Sequence, residues 1–432
     1  MIRNRNVANA GWIISCKIVQ ALLGVVISML TARYLGPSNF GVINYAAAVV
    51  AFVAPVAKLG LTHVLVQEMV YSPESEGKIL GTSLVMSMIS SFFCIMGVIA
   101  FSIATNPGNR ETILVCSLYS LLLISNALEV IQFWFQAKLI SKYTSVVSVI
   151  AYLVISLYKV VLLLTKQSVY WFALSNAIDH FMIGIVLLVI YRKKKGQKLS
   201  FSFAWVKRLF GQSKYFILSS MMITIFAQTD KIMLKFMIDE AATGIYSAAI
   251  GCAGMTSFVF AAIADSLRPT ILEHKKASNP LYETNMCRLY SITIYMALAQ
   301  SLAMTLLAKP IILIMYGSDF LAAVPVLQIG VWFTTFSYVG SARDVWMLAE
   351  NKQRHLLVIN CCGAFLNVLL NSLLIPELGV AGAAIASVAT QIFTNFILGF
   401  IYKPIRANNW LILKAFDPRE LIDMVRIVLR RK

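Results

Sequence analysis

The sequence predicts an all-α polytopic membrane protein of about 12 transmembrane helices, arranged as two lobes of six. Composition, apolar windows and the placement of basic residues all indicate this class. Of the 432 residues, 59% are hydrophobic and only 13% are charged, with a mean hydropathy of +0.78. Soluble domains carry roughly 25% charged residues, and disordered chains are poor in apolar ones. A soluble multidomain enzyme and a disordered chain are therefore both excluded.

Apolar windows of about 20 residues, long enough to cross roughly 30 Å of hydrocarbon, follow one another along the chain. They are 11–32, 41–61, 79–104, 112–132, 144–164, 169–191, 216–237, 243–265, 289–316, 321–342, 355–375 and 379–402. The first window contains Lys17, is too long for the apolar part of a signal peptide and lacks a small-residue cleavage site. We expect it to be a membrane span.

Basic residues are concentrated on one side of the predicted membrane. With the N-terminus in the cytoplasm, the inner loops and tails hold 28 Lys and Arg, and the outer loops hold 3. Because basic loops stay on the cytoplasmic side, both termini are predicted to be cytoplasmic. This distribution explains the net charge of +18 without a nucleic-acid partner.

The longest inner connection divides the spans six and six. We predict an N-terminal lobe (1–198), an amphipathic cytoplasmic connection (199–215), a C-terminal lobe (216–402) and a basic cytoplasmic tail (403–432). For the connection and for 418–432, two interpretations stay open, a solvated basic anchor and binding of anionic lipid headgroups.

A weak internal repeat supports the two lobes. After spans one and seven, a basic residue, a turn and a glycine followed by small residues recur, in 33–47 and 235–249. Six spans separate these segments, so both keep their direction across the membrane. Such parallel repeats occur in alternating-access transporters.

Polar residues recur at helical spacing in three spans, which is unusual for helices that face lipid. The three stripes are Lys17, Gln20, Gly24, Ser28 and Thr31 in span one, Ser220, Thr224, Gln228, Lys231 and Lys235 in span seven, and Asn360, Asn367 and Asn371 in span eleven. We expect these helices to line a water-accessible interior.

The predicted interior is cationic and suits an anionic group such as a pyrophosphate. The charged residues in or at the ends of spans are Lys17, Lys58, Lys159, Lys231, Lys235, Lys309, Glu129, Asp179 and Asp230. Lysines near helix ends can instead extend to the membrane interface. That alternative applies to Lys58, Lys235 and Lys309, whereas Lys17, Lys159 and Lys231 lie deeper.

Two acidic residues are candidates for ion coupling, because an ionisable group at membrane depth needs a cavity or a partner. Asp179 lies near the middle of span six. It can pair with Lys159 or Lys17, or bind a proton or cation. Asp230 is next to Lys231 in sequence but about 100° away around the helix, so it can brace helix packing or take part in coupling.

No catalytic or metal-binding pattern accompanies these stripes. The histidines lack metal-ligand spacing, and neither phosphate-binding glycine motifs nor a serine nucleophile motif occur. We predict that the protein is not an enzyme and has no cofactor, with H⁺ or Na⁺ as the possible coupling ion.

Several segments resemble polysaccharide biosynthesis flippases of the O-antigen (Wzx) type, within the multidrug/oligosaccharidyl-lipid/polysaccharide exporter superfamily. They are RYLGPSNFG at 33–41, TDKIML at 229–234, GIYSAA at 244–249, and the Asn, Ile-Pro and Gly pattern of 360–386. They fall at both ends and in the middle of the chain. Lipid II flippases usually have 14 helices, which argues against that branch.

The resemblance implies a flippase for undecaprenyl-pyrophosphate-linked oligosaccharides in the bacterial cytoplasmic membrane. It implies V-shaped, alternating inward-open and outward-open states around a cationic cavity. A polysaccharide polymerase and glycosyltransferases are the expected partners, and O-antigen, capsule and teichoic-type pathways stay open. The alternatives are a multidrug or cation antiporter of the same superfamily and, in another class, a membrane glycan polymerase or ligase.

Overall fold

The computed structural model describes residues 2–417, with the side chains of residues 2–18 and of His63 left out of that description. Nearly all of this part of the chain is helical, and residues 2–417 contain no strand. Contacts divide the chain into two compact units, Met1–Ile232 and Met233–Lys432. We refer to them as the N-terminal and C-terminal units.

The helices follow one another with short connections. In the N-terminal unit they are α1 (Ile2–Ala57), α2 (Leu65–Tyr71), α3 (Glu76–Thr105), α4 (Arg110–Ser120), α5 (Leu122–Leu128), α6 (Gln132–Ala137), α7 (Lys142–Leu164), α8 (Val169–Lys193) and most of α9 (Phe203–Met237). In the C-terminal unit they are α10 (Glu240–Ala253), α11 (Ser257–Lys276), α12 (Leu281–Leu306), α13 (Ala308–Met315), α14 (Ala323–Ala349), α15 (His355–Leu378), α16 (Val380–Ile392), α17 (Leu398–Ile401) and α18 (Arg406–Ala415).

Within residues 2–417, 11 helical segments are long and apolar enough to cross a membrane. These segments overlap all 12 predicted windows, the first two of which both fall on α1. The two are separated by a kink at Gly36, whose φ of 70° and ψ of 174° are not helical. Glycine adopts this conformation without strain, and the following Pro37 disfavours a helical residue before it. The predicted all-α membrane fold is confirmed.

Three boundaries differ from the sequence prediction. Residues 203–215 of the predicted connection and the seventh window form one helix, α9, because no proline interrupts the segment. The ninth window is split, since α12 ends at Leu306 and α13 begins at Ala308. The described part of the predicted tail forms α18, whose Asn408, Ile412 and Ala415 are buried. Residues 418–432 lie outside the described part.

The N-terminal unit has two apolar clusters. One surrounds Tyr45 and Val115 and joins α1, α3, α4, α5 and α8, with Ile232 of α9 packed against it. The other surrounds Leu65 and Phe135 and includes the buried Leu209 of α9. This packing places most of α9 in the N-terminal unit.

The C-terminal unit is built around α12, α14 and α18, with Tyr290 and Trp346 in its core. Small residues of α16, among them Gly382 and Ala384, are buried and allow close helix packing. At the end of α14, Lys275 Nζ and Tyr282 OH both donate to Glu350 Oε1, at 2.5 and 2.9 Å. Partial burial raises the pKa of Glu350, but these two hydrogen bonds and the positive charges of Lys275 and Lys352 together outweigh it and lower the pKa below its usual value.

Candidate functional site

A polar cavity of about 260 Å³ lies inside the N-terminal unit, between α1, α4, α7 and α8. We call it the Lys159 cavity. Its polar lining includes Ser28, Thr31, Asn44, Tyr152, Lys159 and Asn176. Gly24 of α1 faces it too, and a methyl carbon there would lie 2.8 Å from Tyr152 Oη. A glycine at this position therefore leaves room for the tyrosine hydroxyl.

Lys159 is the only basic residue that lines this cavity within the described chain. Its half-buried ammonium donates to Asn176 Oδ1 at 3.4 Å. No carboxylate oxygen of the described residues lies within salt-bridge distance of it. The positive charge is consequently available to an anionic ligand, and the amide and hydroxyl groups nearby can bond to that ligand's oxygens.

An acidic cluster adjoins the cavity on α8. Asp179 interacts electrostatically with Lys159, His180 and Glu129. His180 Nδ1 is 2.8 Å from Glu129 Oε1, which joins α8 to the end of α5. Asp179 Oδ1 is buried and has no hydrogen-bond partner among the described residues. Asp179, which can bind a proton, therefore interacts both with Lys159 of the cavity and with the His180–Glu129 pair.

A second polar cavity, also of about 260 Å³, lies where the end of α1 meets α9. We call it the Lys58 cavity. Lys58, Thr62, Ser220 and Thr224 contribute its polar lining. Ser220 and Thr224, two members of the polar stripe predicted on span seven, therefore face this cavity, and Lys58 lines it as well.

The other predicted site residues of the N-terminal unit are not assigned to either cavity. Gln20 and Gln228 are half-buried but line neither cavity. Asp230 is buried and Lys231, half-buried, follows it on α9. Lys17 lies on α1, but its side chain is outside the described part.

Three of the predicted site residues in the C-terminal unit, Lys235, Asn367 and Asn371, contact other side chains of the protein. Lys235 Nζ lies 2.7 Å from Glu240 Oε1, and both side chains are mostly buried. Asn371 donates to Asn367 Oδ1 at 3.1 Å on the buried side of α15, whereas Asn360 is half-buried. A lysine already paired with a glutamate is a weaker candidate for binding phosphate than Lys159.

Sequence reasoning named Asp179 but missed Asn176, the pairing of His180 with Glu129, and Arg343. Asn176, Asp179 and His180 have the i, i+3, i+4 spacing of a single helix face, and this signal could have identified the cluster. Arg343 was counted in an inner loop, but α14 continues to Ala349 and Arg343 is buried, donating to Thr394 O at 2.9 Å.

That carbonyl belongs to a π-helical segment, Phe393–Ile397, within the last predicted span. The extra residue of a π-helical turn leaves backbone groups available to side chains. No sequence signal predicts this segment.

The fold is that of the MOP-superfamily transporters, and the protein is a multi-pass membrane protein. A multidrug resistance MATE family transporter aligns with a TM-score of 0.71 and 12% identity, over 90% of this chain and 94% of that one. The lipid II flippase MurJ aligns at 0.68 and 15%, over 95% and 92%. A MOP-superfamily transporter from Pyrococcus furiosus aligns at 0.52 and 12%, over 93% and 95%.

A family model described as polysaccharide biosynthesis protein matches residues 6–275, and the chain belongs to this family. An uncharacterized membrane protein of Methanocaldococcus jannaschii is 27% identical over 252 residues. The match covers 53% of this chain and 48% of that protein, so the chain spans about half the length of this curated relative.

Proposed function

We propose that this protein is a flippase that moves undecaprenyl-pyrophosphate-linked oligosaccharide repeat units from the inner to the outer leaflet of the bacterial cytoplasmic membrane. The observation that carries the proposal is the Lys159 cavity, in which an ammonium with no carboxylate partner among the described residues is surrounded by amides and hydroxyls. Membership of the polysaccharide biosynthesis family supports the same class of substrate.

The size of the cavity indicates which part of the substrate it holds. A volume of about 260 Å³ has room for about nine water molecules at about 30 Å³ each. That suits a pyrophosphate group or one sugar, and not a whole repeat unit. Lys159 would bind the pyrophosphate, while Asn44, Asn176 and Tyr152 would bond to phosphate or sugar oxygens.

We further propose that an ion gradient drives the flippase, with Asp179 as the coupling residue and Asp230 as the second candidate. Protonation of Asp179, or binding of Na⁺, would remove a negative charge from beside Lys159. The ammonium would then attract the pyrophosphate more strongly, which links ion binding to substrate binding. Alternating access by two repeated six-helix lobes completes the proposal.

A complementation experiment tests the substrate and Lys159 together. A strain that lacks the gene is complemented with wild type, Lys159→Ala, Lys159→Arg or the control Lys78→Ala, which removes a lysine from the exposed side of α3. A hydrogen bond to a charged group contributes about 1.5–3 kcal/mol, so Lys159→Ala should lower export about 10–100-fold. Lys159→Arg should retain part of the activity, and Lys78→Ala all of it.

Surface glycan and lipid-linked units on the cytoplasmic leaflet are measured in each strain, with protein levels checked by immunoblot. Accumulation of intact units with loss of surface glycan supports the flippase. Unchanged glycan with sensitivity to cationic drugs would indicate an antiporter instead. Loss of the units themselves would indicate a polymerase, a ligase or another synthetic enzyme, and wild-type export by Lys159→Ala would remove Lys159 from the site.

A further inference from the structure

The N-terminal unit carries an apolar groove that the transport proposal does not use. It lies between α3 and the first turns of α9 and has a volume of about 850 Å³, within the usual range for small-molecule sites. Val85, Met86 and Ile89 of α3 form one wall, and Phe203 and Phe210 of α9 belong to the other. We call it the connection groove, because it is formed by the predicted amphipathic connection.

Two lysines give the groove a basic edge. Lys207 and Lys214 both line it, and they are seven residues apart, which places them two turns apart on one face of α9. Both are exposed, and no acidic residue is among the described residues that line the groove. The groove therefore combines an apolar floor with positive charge at its rim.

Hydrogen bonds hold the two walls together. Gln197 accepts from Gly77 N at 2.9 Å and donates to Pro73 O at 2.8 Å. Ser202 N donates to Thr82 Oγ1 at 3.0 Å, directly before α9. The groove consequently has a fixed backbone frame on the side where α3 begins.

The opposite face of α9 is anchored by a buried carboxylate. Glu68 is 2% exposed, forms an ion pair with Arg208 (Nη2 to Oε2, 2.7 Å) and accepts a hydrogen bond from Gln212 Nε2 at 2.6 Å. These two contacts fix the rotation of α9 against α2, and Lys207 and Lys214 lie on the part of α9 that lines the groove.

We propose that the connection groove binds one anionic glycerophospholipid of the cytoplasmic leaflet, with its acyl chains between α3 and α9 and its phosphate between Lys207 and Lys214. Charge complementarity selects this occupant, because the rim is purely basic and cytoplasmic leaflets are rich in anionic lipids. The exposed phenylalanines suit acyl chains and the interfacial region. The site does not rest on what the protein transports.

The test is lipid binding by the full-length protein. Delipidated protein in detergent is titrated with dioleoylphosphatidylglycerol, dioleoylphosphatidylcholine or undecaprenyl phosphate, and bound lipid is counted by native mass spectrometry. Each lysine near an anionic headgroup is worth about fivefold in affinity, so Lys207→Gln with Lys214→Gln should weaken phosphatidylglycerol binding about 30-fold. Ala204→Trp, which fills the groove without changing charge, should also prevent binding.

The matched control is Lys193→Gln with Lys195→Gln, which removes the same charge from exposed residues outside the groove and should bind like wild type. Thermal unfolding of every variant in the same detergent identifies misfolded protein. Because Ala204→Trp fills the groove without changing its charge, it tests the site independently of the lysine variants. Equal binding of phosphatidylcholine, or equal weakening by the control pair, would overturn the proposal. Preferential binding of undecaprenyl phosphate would overturn it too, since the groove would then hold a polyprenyl chain.

Discussion

Asp179 has an unusual environment for a residue within a membrane-spanning helix. One of its carboxylate oxygens is buried without a hydrogen-bond donor among the described residues, although Lys159 and His180 are close enough to interact electrostatically. Leaving a buried acceptor unsatisfied is unfavourable by about 1–3 kcal/mol. A group held in such a site gains by binding a proton or a cation, which is the property that ion coupling requires.

Asp179→Asn should therefore separate substrate binding from coupling. The amide cannot be protonated or carry charge, so a gradient can no longer drive export, while Lys159 remains in place to bind pyrophosphate. A potential of 100 mV is worth about 2.3 kcal/mol per charge, so the loss should reach about 40-fold per 100 mV. Uptake of a lipid-linked oligosaccharide is measured in vesicles against imposed H⁺ or Na⁺ gradients.

The control for this measurement is Asp319→Asn, which changes an exposed aspartate outside the N-terminal unit. It should respond to the gradient as wild type does. Gradient-driven export by Asp179→Asn at the wild-type level would exclude Asp179 as the coupling residue and leave Asp230 as the candidate to test in the same way.

At the level of elements, the contact between α3 and the connection depends on two glycines. Gly77 and Gly81 lie one turn apart on α3, and the backbone of residues 198–200 crosses directly over them. A methyl carbon at Gly81 would lie 2.6 Å from Ser200 O, closer than any normal contact. Because the obstacle is backbone held by hydrogen bonds, it cannot move away as a flexible side chain could.

Gly81→Ala should lower the stability of the N-terminal unit by about 1–3 kcal/mol, the usual effect of overpacking. Thermal unfolding in detergent measures it. The matched control is Gly97→Ala on the same helix, where a methyl group would meet nothing within 4 Å. Alanine is the better helix former, so this change should be neutral or slightly stabilising. Equal unfolding temperatures for the two variants would refute the packing argument.

The sequence predicted where helices lie better than where they end. Apolar windows located all 11 candidate spans of residues 2–417, because hydrocarbon thickness sets both length and composition. They could not detect the break at Leu307, since the apolar run continues through it, nor the continuity of α9 across the predicted connection. The break between the first two windows, at 33–40, was placed correctly, and the structure has its kink there, at Gly36 before Pro37.

For the whole molecule, the orientation in the membrane stays a prediction from the basic residues. Both termini should be cytoplasmic, and the turn at Lys166 between α7 and α8 should lie outside. Green fluorescent protein fused after Lys432 should fluoresce, and alkaline phosphatase inserted after Lys166 should be active. The reverse pattern would invert the orientation and move the connection groove to the outer leaflet.

The candidate site was predictable only in part, for a reason that concerns the whole fold. Its position inside an apolar window identified Lys159 as an unusual intramembrane charge, and helical periodicity placed Ser28 and Thr31 on one face of a helix. Which helices meet at that face depends on tertiary packing, so the partners Asn44, Tyr152 and Asn176 came only from the structure. The pairing of Glu129 with His180 likewise joins residues 51 positions apart.

The hydrogen-bonded connection has a consequence for how the polypeptide could be assembled. Before it the chain turns at Lys195, an exposed residue with a left-handed φ of 56°, and the contacts made by Gln197, Arg208 and Gln212 begin only after this turn. A cut after Lys195 would break one peptide bond and none of these contacts. Two separately translated fragments, 1–195 and 196–432, could then reassemble, so a split gene would be compatible with this fold.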